Sequence, residues 1–206
     1  MGCDIHGVFQ RRTSDGWEDI EHRFEMNRDY QLFAVLAGVR YGYGFAGAVT
    51  GEPVKPVSAP RGFPVDFVVD GDDHPVVTPA VMNKWSEQGE ALAIWMGDHS
   101  HSWLSVAEML DWYDKAPSVV QTGVLDREAF SKWDRESPPE EYCGAVWGRD
   151  VVVIHEPEVG RTDKSWSHVQ VTWDASLKKE LAYFFDEARR LQDEHGEVRL
   201  VFGFDS

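Results

Sequence analysis

Residues 168–204 carry the pattern that most restricts what this chain can become. Val169, Val171 and Trp173 alternate with His168, Gln170 and Thr172, the period of a strand with one buried face. Asp174 follows as a helix cap, and Leu177, Leu181, Phe184, Phe185, Ala188 and Leu191 then fall on one stripe of a helical period. Arg189 and Arg190 suit the C-terminal end of such a helix, and Gly196 ends it. Val198, Leu200, Phe202 and Phe204 alternate again. A strand, a helix and a strand of this length predict a right-handed parallel crossover. The expected fold class is α+β: a mixed β-sheet with helices packed mainly on one side and a C-terminal β-α-β unit.

Length and composition support one domain with a real core over residues 1–206. An apolar content of 42% with nine Trp excludes a disordered chain. The formal charge of −16 argues against direct binding to nucleic acid, because phosphate is repelled. Cys3 and Cys143 form no disulfide framework and no CxxC, which fits a reducing cytoplasm. No apolar run is long enough to span a membrane, and no signal peptide is read at the start. Met1-Gly2-Cys3 hints at acylation, but His6 stands where that pattern prefers Ser or Thr.

Along the chain, residues 3–12 read as a strand, with Cys3, Ile5, Gly7 and Phe9 on one face and Asp4, His6, Val8 and Gln10 on the other. Ser14-Asp15-Gly16 is a turn, returning through Trp17 to Ile20 as a hairpin. Asn27 or Asp29 caps a helix to about Val39 that is apolar all round and therefore buried. Residues 40–64 form a long Gly- and Pro-rich irregular segment of the kind used as a lid. Its Gly42-Tyr43-Gly44-Phe45-Ala46-Gly47 matches GxGxxG only formally, since no strand precedes it and prolines come after it. A short strand is expected over 65–69. The turn at Asp70–Pro75 fails the calcium-loop pattern, and a helix is expected over 79–90 behind Thr78-Pro79. Ser105 and Glu108 form a capping box for a helix to about Lys115, and Asp126 caps a short helix over 127–135. Val151 to Ile154 read as a buried strand.

The chemistry-bearing stretch is Gly97-Asp98-His99-Ser100-His101-Ser102-Trp103-Leu104. On an extended segment residues two apart share a face, so His99 and His101 aim both imidazoles at one point. Asp4 and His6 do the same from the first strand. Together Asp4, His6, His99 and His101 make a ligand set for a divalent metal of the Zn, Mn or Fe kind. Such an ion lowers the pKa of water and supplies hydroxide for hydrolysis, with Asp98 as proton acceptor. Arg61 and Arg40 are the local cations for an anionic substrate. A second reading stays open, in which His99 to Ser102 are loop residues satisfying helix-end donors and His6 is a hydrogen-bonded strand histidine. A third uses Cys3 as a nucleophile, against which stands its position beside Ile5 and Phe9. No HExxH, deaminase, Gly-x-Ser-x-Gly or Walker signature is present.

Four stretches together resemble a family of uncharacterised small proteins encoded by bacteriophages and prophages. They are Met1-Gly2-Cys3-Asp4-Ile5-His6, residues 27–40 from Asn27 to Arg40, His99-Ser100-His101-Ser102-Trp103-Leu104, and residues 198–205 from Val198 to Asp205. The resemblance implies a phage origin and action in the host bacterial cytoplasm, and it carries no activity. Three functions stand as expectations. The first is a metal-dependent hydrolase acting on a small phosphate- or nucleotide-like substrate. The second is a non-enzymatic acidic protein that inhibits a host or defence protein, its aromatic residues serving as anchors. The third is a protein that sequesters a small ligand.

Overall fold

The computed structural model describes residues 2–20, 28–40, 54–67, 96–97, 99–161 and 165–205. The GxGxxG stretch, the turn at 70–75, the helix expected over 79–90 and Asp98 lie outside these residues. The class is α+β, but its strands form two sheets rather than one, four-stranded and three-stranded. The chain divides into two compact units. One holds residues 1–39, 55–115 and 181–206; the other holds 40–54 and 116–180.

The first unit is built on an antiparallel sheet of β1 (Asp4–Arg12), β2 (Trp17–Asp19), β3 (His99–Ser105) and β7 (Val198–Asp205). The strand order is β2-β1-β7-β3, so β7 lies between the opening strand and the histidine strand. The hairpin from β1 to β2 turns at Gly16, whose carbonyl accepts from the Thr13 N–H. One face of the sheet is apolar. Ile5, Phe9, Leu104, Leu200, Phe202 and Phe204 are all buried.

Among the described residues, three helices belong to this unit. Helix α1 (Tyr30–Ala37) is capped by Asp29, whose carboxylate accepts from the Gln31 and Leu32 N–H groups, and it ends on left-handed Gly38. Phe33 meets the Phe204 ring edge-on at 5.2 Å. Helix α2 (Val106–Asp114) carries the expected capping box, with Ser105 and Glu108 bonding each other's backbone. Helix α5 (Ala182–His195) lays Phe184 against Phe9, and its Phe185 stacks on Tyr113 of α2 at 4.5 Å. The expected stripe is buried: Phe184, Phe185, Ala188 and Leu191 face inward.

The second unit is a mixed sheet of order β4-β6-β5. It contains β4 (Ser118–Asp126), β5 (Val153–His155) and β6 (His168–Ser176), with β4 antiparallel and β5 parallel to β6. Asp126 caps α3 (Arg127–Lys132) as expected, and α4 (Leu177–Glu180) follows β6 directly. Val169, Val171, Trp173 and Ala175 give β6 its buried face.

Four local expectations change. Asp174 caps no helix: the ladder with β4 pairs it with Val120, and the strand continues to Ser176. The run at 151–154 is mostly exposed, with only Ile154 buried, because β5 is a short edge strand. Residues 65–67 form no strand; Val65 is exposed and Phe67 buried. The chain order strand–helix–strand at the C-terminal end is present, but β6 and β7 belong to different sheets, so they make no crossover within one sheet. Among the described residues, no helix is long and apolar enough to cross a membrane.

Candidate functional site

The site is positioned by β7. Its Gly203 is paired with His6 of β1, its Asp205 with Asp4, and its Phe204 with Ile5 on one side and His99 on the other. Directly opposed residues share a face. Ile5, Phe204 and His99 therefore point to the apolar face, while Asp4, His6, Gly203 and Asp205 point to the other.

The histidine strand does not keep strict alternation. His99 pairs with Phe204 and Ser102 with Phe202, three steps on β3 against two on β7. The extra residue is a β-bulge at Ser100, which takes φ 53. The bulge reverses the facing of the residues after it. His99 lies over the Phe204 ring at 6.0 Å, with Nδ1 3.0 Å from the Ser100 hydroxyl. His101 falls on the opposite face and lies over Gly203, so close that a Cβ there would strike both its ring and the Met96 carbonyl. Gly97, at φ 74, is equally constrained, because a Cβ would run into the Phe204 backbone. The two imidazoles expected to aim at one point are thus divided between the faces. His6 and His101 are the pair that shares one, flanking Gly203.

Each of these rings is held through Nε2. His6 Nε2 lies 3.0 Å from Asp205 Oδ2, and His101 Nε2 lies 3.0 Å from the Gly97 carbonyl. A carboxylate and a carbonyl only accept, so Nε2 is the donor in both rings. Phe63 packs on the His101 ring at 4.5 Å. Asp205 also accepts from the Asp4 N–H through its other oxygen, at 3.0 Å.

Asp4 is engaged elsewhere. Arg28 grips its carboxylate with two hydrogen bonds, Nε at 2.8 Å and Nη2 at 2.6 Å. That hydrogen-bonded pair holds the Asp4 carboxyl below the usual range, against a small opposing push from burial, and raises Arg28. Arg61 pairs with Glu108 at 2.9 Å and lies over the Trp103 ring. Arg40 belongs to the second compact unit. Cys3 is fully buried on the apolar side. Among the described residues, no three His, Cys, Asp or Glu side chains already form a group able to hold a metal ion.

Three residues of the cluster escaped the sequence reading. Asp205 and Arg28 come to Asp4 only through contacts that no local pattern announces. Gly203 did leave a signal: a glycine inside a strongly apolar strand marks a place where something approaches closely. No family model, curated protein or solved structure matches the chain.

Proposed function

We propose that this is a bacteriophage-type accessory protein of the bacterial cytoplasm that works as a metal-dependent hydrolase on a small phosphate- or nucleotide-like substrate. The observation supporting this reading is the grouping of His6, His101 and Asp205 on one face beside Gly203, over which His101 is closely packed. A histidine whose outer nitrogen donates to a carboxylate is the usual partner of a divalent ion, since that bond fixes the ring and strengthens the ligand nitrogen. His6 has this arrangement through Asp205, and His101 has its counterpart through Gly97. A divalent ion would be held by His6 and His101, and the chemistry it would supply is activation of water. His99 drops out of the ligand set, and Arg28 replaces Arg61 and Arg40 as the nearby cation for a phosphate.

Elemental analysis of untagged protein tests the reading. About one equivalent of Zn, Mn or Fe is expected, lost in the His6→Ala, His101→Ala double variant while circular dichroism stays unchanged. Asp205→Asn is expected to weaken metal affinity about 10- to 100-fold, as loss of an orienting partner does. Absence of metal, together with no hydrolysis of a generic phosphoester in added Zn or Mn, ends the proposal in favour of a non-enzymatic acidic interaction protein.

A further inference from the structure

The far end of the same polar face holds a second constellation, unconnected with the histidines. Asp19, Gln10, Arg199 and Ser105 form one row across all four strands. Arg199 is only 3% exposed and Gln10 is fully buried. Gln10 Nε2 donates to Asp19 Oδ1 at 2.7 Å, which turns its Oε1 toward Arg199 Nε at 2.9 Å. The guanidinium stacks on Trp17, with its central carbon 4.1 Å from the ring centroid, and Arg12 lies over the same ring at 5.5 Å. Arg199 Nη1 donates to Asp66 Oδ1 at 2.8 Å. Nη2 is buried and, among the described residues, has no hydrogen-bond partner.

This is an unusual way to hold a buried guanidinium. Arginine recognises oxyanions with two parallel N–H groups, one to each oxygen. Here Asp66 supplies one oxygen to one nitrogen and leaves the neighbouring N–H unmet. Asp66 is also the detachable member of the set. Its side chain is half exposed, and it sits in a turn at 65–66, whereas Gln10, Trp17 and Arg199 are held in strands. Burial pushes Arg199 down from the usual arginine value, Asp66 opposes that shift, and Arg12 adds to it. The site therefore gains from more negative charge than one monodentate carboxylate brings.

We infer that Arg199 is an oxyanion-binding site in which Asp66 stands in for the phosphate or carboxylate of a ligand. The ligand's two oxygens take Nη1 and Nη2 together, Arg12 neutralises additional charge, and Asp66 moves out to solvent. The inference does not rest on the metal reading, because Arg199 lies four residues from Gly203 along β7, about 13 Å at strand rise.

The test uses the full chain with Asp66→Asn, which keeps the shape of the side chain and removes the competing charge. Inorganic phosphate and acetate are titrated separately, at constant ionic strength set with chloride. Binding is read from the Arg199 Nε–H resonance and from the melting temperature. Saturable movement of that resonance is expected, with affinity about tenfold tighter than in the parent protein, and a rise in Tm of about 5 °C at a hundredfold excess over Kd. A response to phosphate alone identifies a phosphate ester as the ligand class; a response to acetate as well extends it to carboxylates. No response to either anion in Asp66→Asn overturns the inference. So does an unchanged response in the Asp66→Asn, Arg199→Lys double variant, which removes the bidentate fork but keeps the charge. If that double variant fails to fold, the Arg199 resonance in Asp66→Asn decides alone.

Discussion

The two faces of the four-stranded sheet are held in opposite ways. On the helix side, Phe9 packs against Phe184, and Phe204 against Phe33 and Phe202, and specificity comes from shape. On the other side, the buried groups include Gln10 and Arg199 beside apolar Val201, the two polar ones each placed by a particular hydrogen bond, with His101 pressed onto a glycine. Apolar packing is non-directional and tolerates exchange of similar volumes. A buried polar row is not tolerant, since each unmet group costs about 1–3 kcal/mol. The contrast puts fixed side-chain directions on one face and shape-based packing on the other.

The contrast can be broken most forcefully from the helix side. Phe202→Ala empties a fully buried position and is expected to cost about 3–5 kcal/mol, measured as a lower urea midpoint at unchanged slope. Gly203→Ala attacks the polar face by adding bulk instead. Its Cβ meets a backbone carbonyl that cannot move cheaply, so about 1–3 kcal/mol is expected, with displaced His101 resonances by NMR. If Gly203→Ala proves neutral, the close approach of His101 is wrong and the two faces differ less than their contacts imply.

Ser105→Ala sharpens the picture where β3 hands over to α2, and is expected to cost about 1 kcal/mol through loss of the cap. Glu108, the other half of that box, gives a pH test. Burial pushes its carboxyl up, but the Arg61 guanidinium and the Ser105 hydrogen bonds outweigh this, and it lies below its ordinary 4.5. Its contribution is therefore complete above about pH 4.5 and is lost as pH falls through the lowered value. The pair is partly exposed, so the effect is no more than about 0.5 kcal/mol, seen as a weaker acid dependence in Glu108→Gln. Arg190→Ala serves as the solvent control. Its bonds to Glu187 and Glu194 lie at the surface, and no measurable shift in midpoint is expected.

How much of this was legible in the sequence is a matter of range. The Asp29 cap (one of the two offered), the Ser105–Glu108 box and the Asp126 cap are local devices, complete within a few residues, and each is where the pattern put it. The same holds for the inward stripe of α5. Strand pairing is decided by partners far away. Nothing near Asp4 announces Asp205, and nothing near Val169 says that β6 and β7 go to separate sheets. Asp174 shows a local preference overruled, as pairing with Val120 keeps it in the strand. The histidine pair fails for a narrower reason. The rule that residues two apart share a face assumes regular pleating, and one residue at positive φ, Ser100, cancels it.

The central place of β7 has a consequence for synthesis. Residues 4–8 are paired at 201–205, so at about 5–20 residues per second that part of the opening strand waits about 10–40 s for this mate. During that interval its apolar side, with Ile5 and Phe9, is open to chaperones or to the wrong neighbour. The histidine strand waits for the same arrival. The four-stranded sheet is therefore complete only once residues 198–205 have taken their place between β1 and β3.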